Sequence, residues 1–117
     1  MTWRIGNEGN IYWANLDPAI GSEIAKTRPV LIVSNDINNK FAATVSVLPI
    51  TSSTRKIYPF EVNVTPEESG LKNASKIKAN QIRTIDKQRI GKKLGGLSAA
   101  KMNEVKAALL IHLDIED

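Results

Sequence analysis

Apolar residues come in short alternating or continuous runs separated by polar and proline-containing breaks, the pattern of a chain built mainly of strands. Ile11-Tyr12-Trp13-Ala14-Asn15-Leu16 is rich in β-formers, and Asp17-Pro18 stops it because proline cannot continue a central ladder. The segment 17–27 is long for a hairpin connection, a length that often goes with function. A strand over 29–34 follows, and its continuous apolar run Val30-Leu31-Ile32-Val33 reads as covered on both faces. Residues 35–40 read as a turn of Asn and Asp residues. The strand Thr44–Ile50 runs into a Ser/Thr-rich loop, 51–56, and Tyr58–Val64 alternates like a half-buried edge strand. Pro66–Asn73 is a polar turn around Gly70; short strands are expected over 75–80 and 81–85, and a last one over 90–96 ends in a glycine turn. The one clear helix is C-terminal. Ser98 can cap it, and Met102, Val105, Leu109 and Leu113 share a stripe that Leu110 and Ile111 widen. Many short strands followed by one helix predict a small, mostly antiparallel barrel with an appended helix.

Length adds that this is one domain, 1–117, large enough to bury roughly two-thirds of its unfolded surface. Residues 1–9 are expected to form a loose arm, and Met1-Thr2-Trp3-Arg4 lacks the apolar run of a secretion signal. No apolar stretch approaches the roughly 18 residues of a membrane span. Cysteine is absent, which removes disulfide and thiolate chemistry and agrees with a reducing cytoplasm. A single histidine excludes a two-histidine metal site or acid–base pair. The net charge of +4 is unevenly spread. Between Lys76 and Lys93 seven basic residues stand against the single acid Asp86, leaving the remainder of the chain at −2. Such a segment points to a polyanionic partner, nucleic acid first, or to a solvated charged loop.

The candidate chemistry lies at strand ends. Pro29 holds Arg28 extended at the root of its strand, so its guanidinium fork is fixed as phosphate recognition requires. Glu23 lies in the loop before it, and Thr51, Ser52 and Ser53 follow the next strand. If the substrate is RNA, scission by internal transfer needs the 2′-hydroxyl deprotonated, the phosphorane charge stabilised and the 5′-oxygen protonated, with no metal because the nucleophile belongs to the substrate. Glu23 is then the candidate base, Arg28 the phosphorane stabiliser and Thr51 a donor to a non-bridging oxygen. Each has a plainer alternative: Glu23 as a surface acid, Arg28 in an ion pair with Glu23 or Asp36, Thr51 as a turn cap. Trp13, Tyr12 and Phe60 either stack on bases or fill the barrel core. His112 reads as a packed or surface structural residue.

Several blocks in fixed order resemble the MazF/PemK (Kid-like) toxins: 11–18, Gly21-Ser22-Glu23, Thr27 to Asp36, Pro49-Ile50-Thr51-Ser52, Tyr58 to Val62 and Gln81 to Arg89. The similarity runs from about residue 9 through the C-terminal helix. It implies an SH3-like antiparallel barrel of the CcdB/MazF-like plasmid maintenance toxin fold. The implied activity is a sequence-specific endoribonuclease using neither metal nor cofactor, leaving 2′,3′-cyclic phosphate and 5′-hydroxyl ends on single-stranded RNA. By resemblance Arg28 and Thr51 are the essential pair, Glu23 a supporting residue, Gln81 and Arg83 line the RNA groove, and Ser22 and Asn39 flank it. The implied assembly is a homodimer whose groove a cognate MazE-like antitoxin blocks with a disordered acidic segment. Two departures stand out. Glu8-Gly9-Asn10 replaces the family's Arg-Gly-Asp, and Lys76-Ile77-Lys78-Ala79-Asn80 is more polar than its usual strand, which would alter base preference or mark an exposed edge. The rival reading is a non-catalytic toxin of the same fold that binds a protein such as DNA gyrase; a non-catalytic RNA-binding barrel is the third.

Overall fold

The computed structural model describes residues 8–116. The arm expected over 1–9 therefore lies outside the described residues except for Glu8 and Gly9. Seven strands follow in chain order: β1 (Asn10–Asn15), β2 (Thr27–Ile32), β3 (Thr44–Thr51), β4 (Glu61–Val64), β5 (Ser75–Lys78), β6 (Arg83–Asp86) and β7 (Ile90–Gly96). Three α-helices accompany them: α1 (Asp36–Phe41), α2 (Pro66–Ser69) and α3 (Ala99–Leu113). All the pairings are antiparallel, in the spatial order β4-β5-β3-β2-β1-β7, with β6 on β3. The sheet is strongly wrapped but not closed.

The eight-residue β3 is the hub. Val47–Pro49 pair with β2, Thr44–Val47 with β6, and Ile50 and Thr51 with β5. Alternation along β2 feeds two separate cores. Leu31 joins Ile11, Leu48, Ile50 and Ile77 under α3, whereas Val30 and Ile32 join Ala14, Leu16, Val45 and Val47. The apolar run after Pro29 is thus buried on both faces, as its composition predicts.

Four expectations need correction. The turn expected at 35–40 is the short helix α1, because Asn35 caps it by accepting from the Asn38 N–H at 2.8 Å. The polar turn at 66–73 begins with α2, where Thr65 and Glu68 form a reciprocal capping box and Gly70 takes the left-handed conformation that ends it. Gly95 and Gly96 do not make a turn but continue β7 against β1. At Gly95 a Cβ would lie 2.1 Å from the Ser69 carbonyl oxygen, so glycine is required for α2 to approach. In α3, capped by Ser98, Met102, Val105 and Ala108 are buried and Leu109 packs partly, but Leu113 and Ile111 are exposed. No helix among the described residues is long and apolar enough to cross a membrane.

Candidate functional site

β2 and β3 pair over Val30–Ile32 and Val47–Pro49, so Arg28 lies two residues before that ladder on β2 and Thr51 two residues after it on β3. Thr51 itself pairs with Lys76 of β5, and Arg28 with Ala14 of β1. Arg28 is exposed, and its Nε–H donates to the Ala25 carbonyl at 3.3 Å. The four terminal N–H groups of the fork have no partner among the described residues. No ion pair among the described residues includes Arg28, so it makes neither the bridge to Glu23 nor the one to Asp36. The Thr51 Oγ1 accepts from the Ser53 N–H at 3.3 Å, which keeps its own hydroxyl hydrogen free to donate.

Two grooves open here. One of about 600 Å³ is lined by Trp13, Thr27, Arg28, Ser52, Lys72 and Asn73, among others. Thr51 lines neither groove itself, though Ile50 and Ser52 on either side of it line this one. The other, of about 570 Å³, is lined by Ser22, Glu23, Asn80, Gln81 and Arg83. Sequence reasoning grouped Glu23 with Arg28 and Thr51; the structure places it in the second groove, with Ser22, Gln81 and Arg83. Its carboxylate has no hydrogen-bond or ion-pair partner among the described residues, whereas that of Asp17 in the same loop accepts from the Lys26 N–H at 2.8 Å. Among the described residues no cluster of three metal-ligating side chains forms.

Asn39 is a correction. It is wholly buried: its side-chain N–H donates to the Ser34 carbonyl at 2.8 Å, and its Oδ1 accepts from the Ser34 hydroxyl and the Asn38 amide. It fixes the β2–α1 corner and has no surface to offer RNA. Ser52 and Ser53 are both exposed, but only Ser52 lines the groove; Ser53 serves the turn at Thr51 through its backbone. Lys72 and Asn73 were not among the expected groove residues, and Trp13 stood open between base stacking and core. Trp13 is 38% exposed although it lies in a strand. The period-2 alternation beside buried Ala14 was the available signal for that; nothing local in the sequence indicates that 70–75 folds back beside Arg28.

The basic segment also proves different from a phosphate-facing surface. Glu61, in β4, lies 3.2 Å from Lys76 Nζ and 3.0 Å from Lys78 Nζ, with its side chain fully buried. Burial pushes the Glu61 carboxyl up, but the Tyr58 N–H and the Lys78 and Lys76 ammonium groups outweigh it and hold the carboxyl below the usual range. This pairing explains the polar 76–80 stretch, and β5 lies between β3 and β4 rather than at an exposed edge. Arg83 donates to the Leu16 carbonyl at 3.1 Å, Lys87 to the Asn39 carbonyl, and Arg89 to the carbonyls of Asn15 and Asp17. Lys76 and Lys78 thus share one buried carboxylate and present little charge to RNA or an acidic peptide, while Arg83 lines the second groove and Lys92 and Lys93 are exposed.

Residues 7–113 match the model of the family described as PemK-like, MazF-like toxin of type II toxin-antitoxin system. The chain is 39% identical over 112 residues to endoribonuclease MazF9 of Mycobacterium tuberculosis, spanning 92% of this chain and 95% of that one. It is 40% identical over 114 residues to endoribonuclease EndoA of Bacillus subtilis, spanning 97% and 98%. Its fold superposes with a TM-score of 0.78 on a mycobacterial endoribonuclease in complex with its cognate antitoxin, at 29% identity, covering 94% of this chain and 96% of that one. On MazF from Deinococcus radiodurans the TM-score is 0.80 at 27% identity, with 95% and 98% covered.

Proposed function

The chain belongs to the PemK-like, MazF-like toxin family of type II toxin–antitoxin systems, and from that premise we propose an endoribonuclease that cuts single-stranded RNA by internal transfer. An exposed Arg28 in an open groove, with Thr51 between the groove-lining Ile50 and Ser52, supports this reading. The scissile phosphate docks there. Its non-bridging oxygens meet the Arg28 fork and the Thr51 hydroxyl, both of which bind the phosphorane more tightly than the diester because it carries more charge. One such preorganised donor is worth about 10²–10³ in rate. The 2′-oxygen attacks phosphorus and the bond to the 5′-oxygen breaks, a solvent water protonating the departing 5′-oxygen, giving a 2′,3′-cyclic phosphate and a 5′-hydroxyl. Glu23, whose carboxylate has no partner among the described residues, takes the 2′-proton. Ser22, Ser52 and Arg83 contact the chain on either side. The single domain carries the whole activity and works as a homodimer in the cytoplasm, held in check by a cognate MazE-like antitoxin, as the complexed relative supports.

The test is to incubate the protein with long mixed-sequence RNA in EDTA, then map breaks and end groups. Discrete cuts with cyclic phosphate ends are expected, and Arg28→Ala, at an exposed position, should abolish them with the fold intact. Cuts that persist in a rigorously purified Arg28→Ala protein would sink the assignment. Complete absence of cuts in the parent protein would turn the reading to a toxin that acts by binding.

A further inference from the structure

The loop between β1 and β2 carries Glu23 and ends two residues before Arg28, and it is fastened by Gln81, which lines the same groove as Glu23. The Gln81 Oε1 accepts from the Ile24 N–H at 2.8 Å, and its Nε2 donates to the Ser22 carbonyl at 3.2 Å. One planar amide thus meets the loop backbone with an acceptor and a donor together. The next residue, Ala25, supplies the carbonyl that holds Arg28 Nε–H. Lys26 follows at φ 68°, a left-handed conformation that an L residue keeps only where its surroundings enforce it. Those surroundings are visible: its N–H is held by Asp17 and its carbonyl by the Leu16 N–H at 2.8 Å.

We propose that Gln81 is a positioning residue for Arg28, acting through Ser22, Ile24 and the Ala25 carbonyl rather than by reading RNA itself. The proposal rests on the ribonuclease reading above, and assigns Gln81 to the chemical step instead of to the groove wall alone. With the loop pinned at residues 22 and 24, the Ala25 carbonyl stays where it orients the guanidinium and leaves its terminal N–H groups toward the phosphate. With the loop released, Ala25 drifts and the fork must be ordered at each turnover. A displacement of about 1 Å at such a group is enough to cost up to 10²-fold in rate.

The experiment uses the full chain carrying Gln81→Leu, assayed on a short RNA with one cut site, with arginine Nε–Hε signals recorded by NMR. The expected result is a fall of about tenfold in kcat, KM within a factor of about two, and a shifted, faster-exchanging Arg28 Nε–H signal. Gln81→Glu keeps the acceptor for the Ile24 N–H and should recover part of both kcat and that signal; it also serves if Gln81→Leu fails to fold. A raised KM with kcat and the Arg28 signal unchanged would overturn the proposal and make Gln81 an RNA contact. If the parent protein cuts no RNA, the ribonuclease reading fails separately, while the Nε–H signal still reports whether Gln81 orders Arg28.

Discussion

Arg28 gets its place from Pro29 behind it and from the Ala25 carbonyl beside it, and the first of these was legible from two adjacent letters. Thr51 was legible only as the end of an apolar run; that its strand pairs with the strand of Arg28 depends on a register between β2 and β3 that no local pattern states. Asn39 shows the opposite failure. An asparagine in a polar stretch looks exposed, but its amide can satisfy several buried backbone and hydroxyl groups at once, and here it does. Trp13 was open between core and surface, and its half-exposed indole beside Arg28 makes it a platform for a base. Trp13→Ala is expected to weaken RNA binding by about 1–3 kcal/mol, with Trp13→Phe retaining most of it. Equilibrium binding of an uncleavable RNA analogue checks this; equal affinity for all three proteins would remove the platform.

At the scale of elements, most strands stand where alternation and proline breaks put them, because each buries a face and a one-residue slip would expose it. The short helices α1 and α2 escaped because capping by Asn35 and Thr65 outweighs the turn character of their polar sequences. The link between β4 and β5 escaped for another reason: Glu61 meets Lys76 and Lys78 only once the two strands pair. Removing the carboxylate strands two ammonium groups with little water around them, so Glu61→Gln should cost about 3–5 kcal/mol at neutral pH. Because the folded Glu61 pKa is depressed, its contribution is fully present above the ordinary value of 4.5 and drains away as pH falls through the lower folded value. Denaturant titrations at pH 7 and at pH 3 should therefore differ less for Glu61→Gln than for the parent. An equal difference would mean that the pair does not govern acid sensitivity.

Across the whole molecule, the position of each cation matters more to a polyanion than the formal charge of +4. Lys76 and Lys78 are turned onto the buried Glu61, whereas Arg83 lines the second groove and Lys92 and Lys93 are exposed. Lys72, from a stretch that sequence reading left as a plain turn, is exposed in the Arg28 groove and has no partner among the described residues. Lys72→Gln should reduce the slope of log affinity against log salt by about 0.7, the value of one phosphate contact on single-stranded nucleic acid. Lys78→Gln should leave that slope alone and lower the melting temperature instead. Equal slopes for parent and Lys72→Gln would place the phosphate path elsewhere.

Because β3 is flanked by three strands, solvent reaches the amide hydrogens along its middle only when the sheet as a whole comes apart. Thr51 closes that strand and pairs with Lys76 of β5, while Arg28 is oriented by a loop fastened through a handful of bonds. Under heat or denaturant the fastening of that loop is the part of the site that gives way first.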